Sequence, residues 1–244
     1  MTDSRWAADP KRRVAVAFDV ETRDDALALR DRLGDALGLA KLGSALFVRE
    51  GLRLVEDLQA GGTGVFLDLK FHDIPSVVGK AVEKAQASSV DLLTVHAAGG
   101  PAMIEAAVEA ASRRGSNTRV LAVTVLTSLG LDDWRQGSSP AEESVESAVR
   151  RLAELAIDAG AHGLVGSARE AGLLREVGGK GAIVVTPGIQ VPGAEVSDQA
   201  RTVSVAEAVK SGADVLVVGR GVTQADDPRA TLLSIQEQLM EVSA

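Results

Sequence analysis

The chain has 244 residues, 45% hydrophobic and 25% charged, enough to bury the core of one large α/β barrel or of two small domains. It has no cysteine, which excludes disulfides and thiolate metal sites and fits a reducing, cytoplasmic setting. The net charge of −8, with the basic residues scattered, argues against nucleic acid or an anionic membrane as partner, and 2% aromatic content leaves no stacking surface for single strands.

The polar opening "MTDSRWAADPKRR" lacks the apolar segment of a secretion signal, and no apolar run reaches the length of a membrane span, so a soluble protein is expected. Short β-branched or apolar runs then alternate with longer segments of helical period. The predicted strands are "VAVAFDV" (Val14 to Val20), "LAKLG" (Leu39 to Gly43), "VFLDLK" (Val65 to Lys70), "LLTVHA" (Leu92 to Ala97), "RVLAVTVL" (Arg119 to Leu126), "GLVGS" (Gly163 to Ser167), "AIVVTPG" (Ala182 to Gly188) and "VLVVGR" (Val215 to Arg220). Between them, Pro101 reads as a first-turn proline with Gly115 closing its helix, and Ser139-Pro140 with Glu142 as a capping box on a helix ending near Gly160. No Pro/Ser-rich linker divides the chain, so residues 1–244 read as one domain. Eight strand-helix units predict a closed (β/α)8 TIM barrel, with its active site at the C-terminal ends of the strands. An open doubly wound sheet is the alternative, but no glycine fingerprint follows the first strand.

The stretch "GVFLDLKFHDIP", Gly64 to Pro75, places Asp68 and Lys70 two residues apart within a strand. Alternate side chains of a barrel strand point inward, so if Asp68 and Lys70 do, then Leu67, Leu69 and Phe71 face the helices. The same parity turns Ala15, Ala17 and Asp19 inward on the first strand, and Leu39 and Lys41 on the second. Asp19, Lys41, Asp68 and Lys70 then meet at one mouth with alternating sign, close enough to perturb one another's protonation. Buried ion pairs contribute little net stability once desolvation is counted, so four charges at this end favour a catalytic over a structural reading. The loops after strands seven and eight, the usual phosphate site of barrels, carry "TPGI" and "GRG", where glycines admit backbone amides and Arg220 offers a bidentate contact. Elsewhere, His96 is either a pocket residue or a packing one. His72 and His162 have no paired ligand, no zinc site is indicated, and Trp6 and Trp134 lie in polar surroundings with no role assigned.

"DLKFHDIP" resembles the Asp-x-Lys-x-x-Asp-Ile motif of the orotidine 5′-phosphate decarboxylase family, and "AFDV", "AKLG", "TVHAAGG", "VLTSL", "VTPGI", "DQARTV" and "VVGRGVT" follow in that family's order over nearly the whole chain. The resemblance implies release of carbon dioxide from orotidine 5′-monophosphate to give uridine 5′-monophosphate, without metal or organic cofactor. It implies Lys70 as proton donor to pyrimidine C6, Asp68 beside the substrate carboxylate, and Lys41 and Asp19 at the ribose. It also implies Asp73 reaching the partner's site in a homodimer, and Ile74, Thr127 and Ser128 lining the pyrimidine, although for the Thr-Ser pair helix capping is the plainer alternative. For the phosphate it implies Pro187, Gln199, Gly219 and Arg220, under a lid from Ile189 to Arg201. Two positions depart from the pattern: Gln190 follows "TPGI" where many bacterial members carry arginine, and Val77 stands where many carry threonine. Both bear on affinity. Two other readings keep the same scaffold: a magnesium-dependent sugar-phosphate decarboxylase or aldolase using the Asp-x-Lys-x-x-Asp array, and a nucleotide sensor without turnover.

Overall fold

A computed structural model describes residues 9–137, 144–191 and 203–243, the side chains at 114 and 243 excepted. Eight strands, β1 (Val14–Ala17), β2 (Leu39–Gly43), β3 (Gly64–Phe71), β4 (Leu92–His96), β5 (Arg119–Val123), β6 (Gly163–Val165), β7 (Ile183–Thr186) and β8 (Val215–Val218), pair in chain order. All pairs are parallel, and β1 meets β8 through Val14–Leu216 and Val16–Val218, so the sheet closes into a barrel. Helices such as Arg23–Leu33, Ser44–Ala60, Pro75–Ala87 and Pro101–Ala111 connect successive strands on the outside.

Local chemistry sets the boundaries of these elements. Thr22 and Asp25 form a reciprocal cap on the helix Arg23–Leu33, whose first turn is acidic and last turn basic, matching the helix dipole. Pro75 and Pro101 stand in the first turns of their helices, where a missing amide proton costs nothing. The helix opened by Pro101 ends at Ala111, and the chain reaches Gly115, at φ 68°, through a short 3-10 turn. The cap predicted at Ser139 to Glu142 lies outside the described residues. The described helix there is Val145–Asp158, capped by Ser144 with Ser147. Several predicted strands run past the barrel ladder at their C-terminal ends: β1 stops at Ala17, β5 at Val123 and β8 at Val218, because the chain turns there into the loops of the upper face. Trp134 is corrected more sharply, since it is buried, 3% exposed, in the outer core. It sits on the short helix Leu131–Gly137 with acidic neighbours turned away from that core.

Strand parity divides the apolar residues into two cores. Ala15, Leu39, Phe66, Leu92, Leu121 and Ile183 fill the barrel interior, while their neighbours Val16, Ala40, Leu67, Leu93, Val120 and Val184 pack against the helices. Charges at the N-terminal face are absorbed by structure. The Asp214 carboxylate accepts from the Val184 amide at 2.8 Å and pairs with Arg175. Asp91 accepts from the Val65 amide at 3.0 Å and from Arg12 at 2.7 Å. No described helix is long and apolar enough to cross a membrane.

Two interior features make testable demands. A Cβ on Gly163 would lie 2.2 Å from the Ile183 carbonyl oxygen and 2.8 Å from Leu121, so β6 can approach β7 only through glycine. Gly163→Ala is expected to destabilise the fold by about 1–3 kcal/mol in urea unfolding, as overpacking against a strand backbone does. His162, just before β6, accepts the Val120 amide on Nδ1 at 3.0 Å. Burial, with the Arg119 charge adding to it, pushes its imidazole from 6.5 down to about 4. The unfolded chain then binds a proton that the native chain refuses, so stability falls as pH drops from about 6.5 towards 4. Unfolding measured across that window in His162→Gln, which keeps an acceptor for Val120, is expected to show a shallower slope.

Candidate active site

The predicted charges converge at the C-terminal mouth of the barrel. β2 and β3 pair with Lys41 beside Phe66 and Gly43 beside Asp68, and β1 sets Ala17 beside Lys41, so the three strands present their late inward positions to one another. Lys41 Nζ stands 3.5 Å from Asp68 Oδ2 and 4.0 Å from Asp19 Oδ1, and Lys70 Nζ donates to Asp68 Oδ1 at 2.8 Å. The chain of charges runs Asp19, Lys41, Asp68, Lys70. Gly43 lies against Asp19, its missing Cβ position 3.7 Å from Asp19 Oδ1, an ordinary contact distance.

Burial is graded along this chain. The Lys41 and Asp68 side chains are 11% and 16% exposed, whereas Lys70 at 38% and Asp19 at 69% open to the mouth. Burial alone would raise the Asp68 carboxyl. The charges of Lys41 and Lys70, with hydrogen bonds from Lys70 and Thr94, outweigh it and hold the carboxyl below its usual range. Asp68 is therefore ionised at neutral pH, and Lys70 has a fixed anionic partner behind it and open space in front.

Regular strand geometry does not aim Lys70. Leu67 pairs with Leu93 and Phe71 with Val95, so four steps on β3 match two on β4, and the extra residues bulge. Within the bulge Lys70 takes φ 49°, the left-handed region that residues with a side chain seldom occupy. Thr94 fills the gap from β4: its Oγ1 accepts the Lys70 amide at 2.9 Å and donates to Asp68 Oδ1 at 3.0 Å. Sequence reasoning missed Thr94. Its only signal was a polar residue at an inward position of an otherwise apolar strand.

The other predicted residues distribute as follows. Asp73 stands apart from the tetrad, exposed before the helix Pro75–Ala87, its Oδ1 accepting from the Ile74 amide at 2.6 Å. Ile74 and Val77 beside it are 62% and 44% exposed. Thr127 and Ser128 lie exposed in the turn after β5, where the next amide bonded to a side chain is that of Gly130, donating to Asp133 Oδ2 at 3.1 Å. Pro187 and Gly188 follow β7, while Gly219 and Arg220 follow β8, and Val185–Val215 pairing makes the two loops neighbours. Gly188 and Gln190 are bonded across to Val203, at 3.1 and 2.8 Å, and Ile189 bridges the same residue, so the backbone after β7 is tied directly to Val203. Gln199 and most of the expected lid lie outside the described residues. His96 at the end of β4 stacks its ring on that of His72, with centroids 5.3 Å apart. Burial, then His72 and Lys70, lower its pKa, and its Nδ1 accepts from the Ala98 amide at 3.3 Å. Among the described residues no three His, Asp or Glu side chains cluster as a metal site.

A fixed ammonium backed by an ionised carboxylate, facing an open mouth with glycine-rich loops opposite, suits stabilisation and protonation of a carbanion on a phosphorylated substrate. The comparisons with known proteins agree with this geometry. The model of the family described as "Orotidine 5'-phosphate decarboxylase / HUMPS family" matches residues 12–235. A relative named orotidine 5′-phosphate decarboxylase from Chromohalobacter salexigens is 46% identical over 228 residues, covering 93% of this chain and 96% of the relative. One of the same name from Alkalilimnicola ehrlichii is 48% identical over 229 residues, covering 93% and 96%. The crystal structure of orotidine 5′-phosphate decarboxylase from Lactobacillus acidophilus superposes with a TM-score of 0.81 at 32% identity, covering 93% of this chain and 98% of that one. A match over so much of the chain, on the same barrel, means that the chain belongs to the orotidine 5′-phosphate decarboxylase / HUMPS family.

Proposed function

We propose that this chain, as a single catalytic domain, is a carboxy-lyase that converts orotidine 5′-monophosphate to uridine 5′-monophosphate, the last step of de novo pyrimidine nucleotide synthesis. The observation that carries the reading is the Lys70 ammonium held 2.8 Å from an ionised, mostly buried Asp68 at the barrel mouth. The bond from C6 to the carboxyl carbon breaks, carbon dioxide leaves, and the bonding electron pair stays on C6. Lys70 stabilises that pair as it develops and gives C6 a proton, which solvent later returns to the amine. The ammonium is fixed before the reaction, so little reorganisation opposes it.

Lys41, beside both Asp68 and Asp19, keeps Asp68 ionised and with Asp19 meets the ribose hydroxyls. Thr127, Ser128 and Ile74 bound the pyrimidine. Pro187, Gly219 and Arg220 take the phosphate, with Gln199 added from the segment between Val191 and Val203. Phosphate binding far from C6 supplies energy for assembling the site. Asp73 completes the site of a second copy. The exposed Ile74 and Val77 around it support that reading, because apolar side chains beside a site are suited to burial by a partner. No metal or organic cofactor takes part, and the protein works in the cytoplasm.

The direct test follows the ultraviolet absorbance of orotidine 5′-monophosphate with purified protein, with and without excess chelator. Conversion unaffected by chelator is expected. No conversion would overturn the assignment, and conversion abolished by chelator would replace this mechanism with a metal-dependent one. Lys70→Ala is expected to lower kcat on the order of 10³-fold or more while still binding uridine 5′-monophosphate, as loss of a preorganised electrostatic group does. Near-normal turnover would remove Lys70 from the mechanism. Mixing Lys70→Ala protein with Asp73→Asn protein is expected to restore about a quarter of wild-type activity, since half the dimers carry one intact shared site. A well-mixed heterodimer without activity would contradict sharing.

A further inference from the structure

The bulge in β3 leaves a backbone amide without its ladder partner at the residue where the proposed mechanism places the proton donor. Lys70 is held at φ 49° there, and such a conformation persists only where the surroundings over-determine it. Thr94 is the part of those surroundings that touches both ends of the problem. Its side chain is fully buried, its oxygen takes the Lys70 amide, and its proton goes to the same Asp68 oxygen that receives the Lys70 ammonium. One hydroxyl thus links the backbone, the carboxylate and, through it, the ammonium. A threonine has one proton and accepting lone pairs, and both kinds of capacity are used.

We propose that Thr94 is a positioning residue for decarboxylation: its hydroxyl fixes the Lys70 backbone and the Asp68 carboxylate together, so that the ammonium is aimed at the reacting carbon. This rests on the proposed role of Lys70. Valine has nearly the same shape, but at this position it leaves the Lys70 amide without an acceptor and Asp68 with one donor fewer. The charged and titratable groups around Asp68 are Lys41 from β2, Lys70 from β3 itself, Asp19 from the loop after β1 through Lys41, and the His72–His96 pair beyond Lys70. None of them replaces the lost donor without moving.

The experiment compares Thr94→Val, Thr94→Ala and Thr94→Ser with the wild type, by steady-state kinetics on orotidine 5′-monophosphate across pH and by uridine 5′-monophosphate binding. Thr94→Val is expected to lower kcat on the order of 10²-fold, the effect of a small misplacement of a reacting group, with nucleotide affinity little changed. Thr94→Ser, which keeps the hydroxyl, is expected to restore most of the rate. The acidic limb of kcat/KM is expected to move to higher pH in Thr94→Val, because a carboxylate that loses a donor is harder to ionise. Wild-type kcat with an unmoved acidic limb in Thr94→Val would overturn the proposal, as would Thr94→Ser as impaired as Thr94→Val. If Thr94→Val does not fold, the smaller Thr94→Ala is read by the same criteria. Lys70→Ala, assayed alongside, separates the two levels of the argument. An active Lys70→Ala removes the mechanism itself, whereas an inactive one beside a fully active Thr94→Val removes only the role of Thr94.

Discussion

Taking the Asp68 carboxylate out of water is costly, and the ammonium groups of Lys41 and Lys70, at 3.5 and 2.8 Å, are what offset it. Much of the upper face follows from that requirement. Lys41 must come from the neighbouring strand at the right height, which the parallel register of β2 and β3 supplies. Lys70 must come from β3 itself, two residues on, with its amine turned back onto Asp68. A regular strand could place the second residue inward, but here the ladder is broken and the residue sits at φ 49°. A buried ion pair of this kind adds little to folding stability. What the pair does fix is the direction of the Lys70 ammonium, 38% exposed at the mouth.

The two ends of the barrel handle charge in opposite ways. At the N-terminal face Asp91, Asp214, Arg12 and Arg175 are spent on backbone amides, carbonyls and each other, joining strand starts to their neighbours. At the C-terminal face Lys70 and Asp19 keep accessible surface beyond their mutual contacts. This division is common to the fold, in which loops at the C-terminal ends carry chemistry and the opposite end carries stability. It also explains why the N-terminal charges, though equally well paired, are poor candidates for catalysis: their hydrogen-bonding capacity faces inward, to structure.

Much of the site was legible because barrel chemistry projects from strands, and strand parity can be read from residue alternation. Ala15, Leu39 and Phe66 share the interior as the pattern required, which carries Lys41 and Asp68 to the same side without further information. Contacts made between strands by uncharged residues were not legible. Thr94 in "LLTVHA" looks like any β-branched residue suited to a strand, and only the slipped register of β3 and β4 turns its hydroxyl into a partner for Lys70. His72 and His96 lie 24 positions apart, and neither shows in sequence that the other's ring is its neighbour. Trp134 failed for a related reason: its charged neighbours follow the chain, whereas its burial follows the helix face.

The sequence by itself determined the eight-fold alternation, the inward parity of the strands and the alternating signs of Asp19, Lys41, Asp68 and Lys70, because each depends on periodicities of two or three to four residues along the chain. Where each strand leaves the ladder, how β3 bulges against β4, and which hydroxyl meets which carboxylate were decided by tertiary structure alone. Those outcomes depend on how neighbouring strands slide past one another when the barrel closes, and that displacement leaves no mark on either strand taken singly.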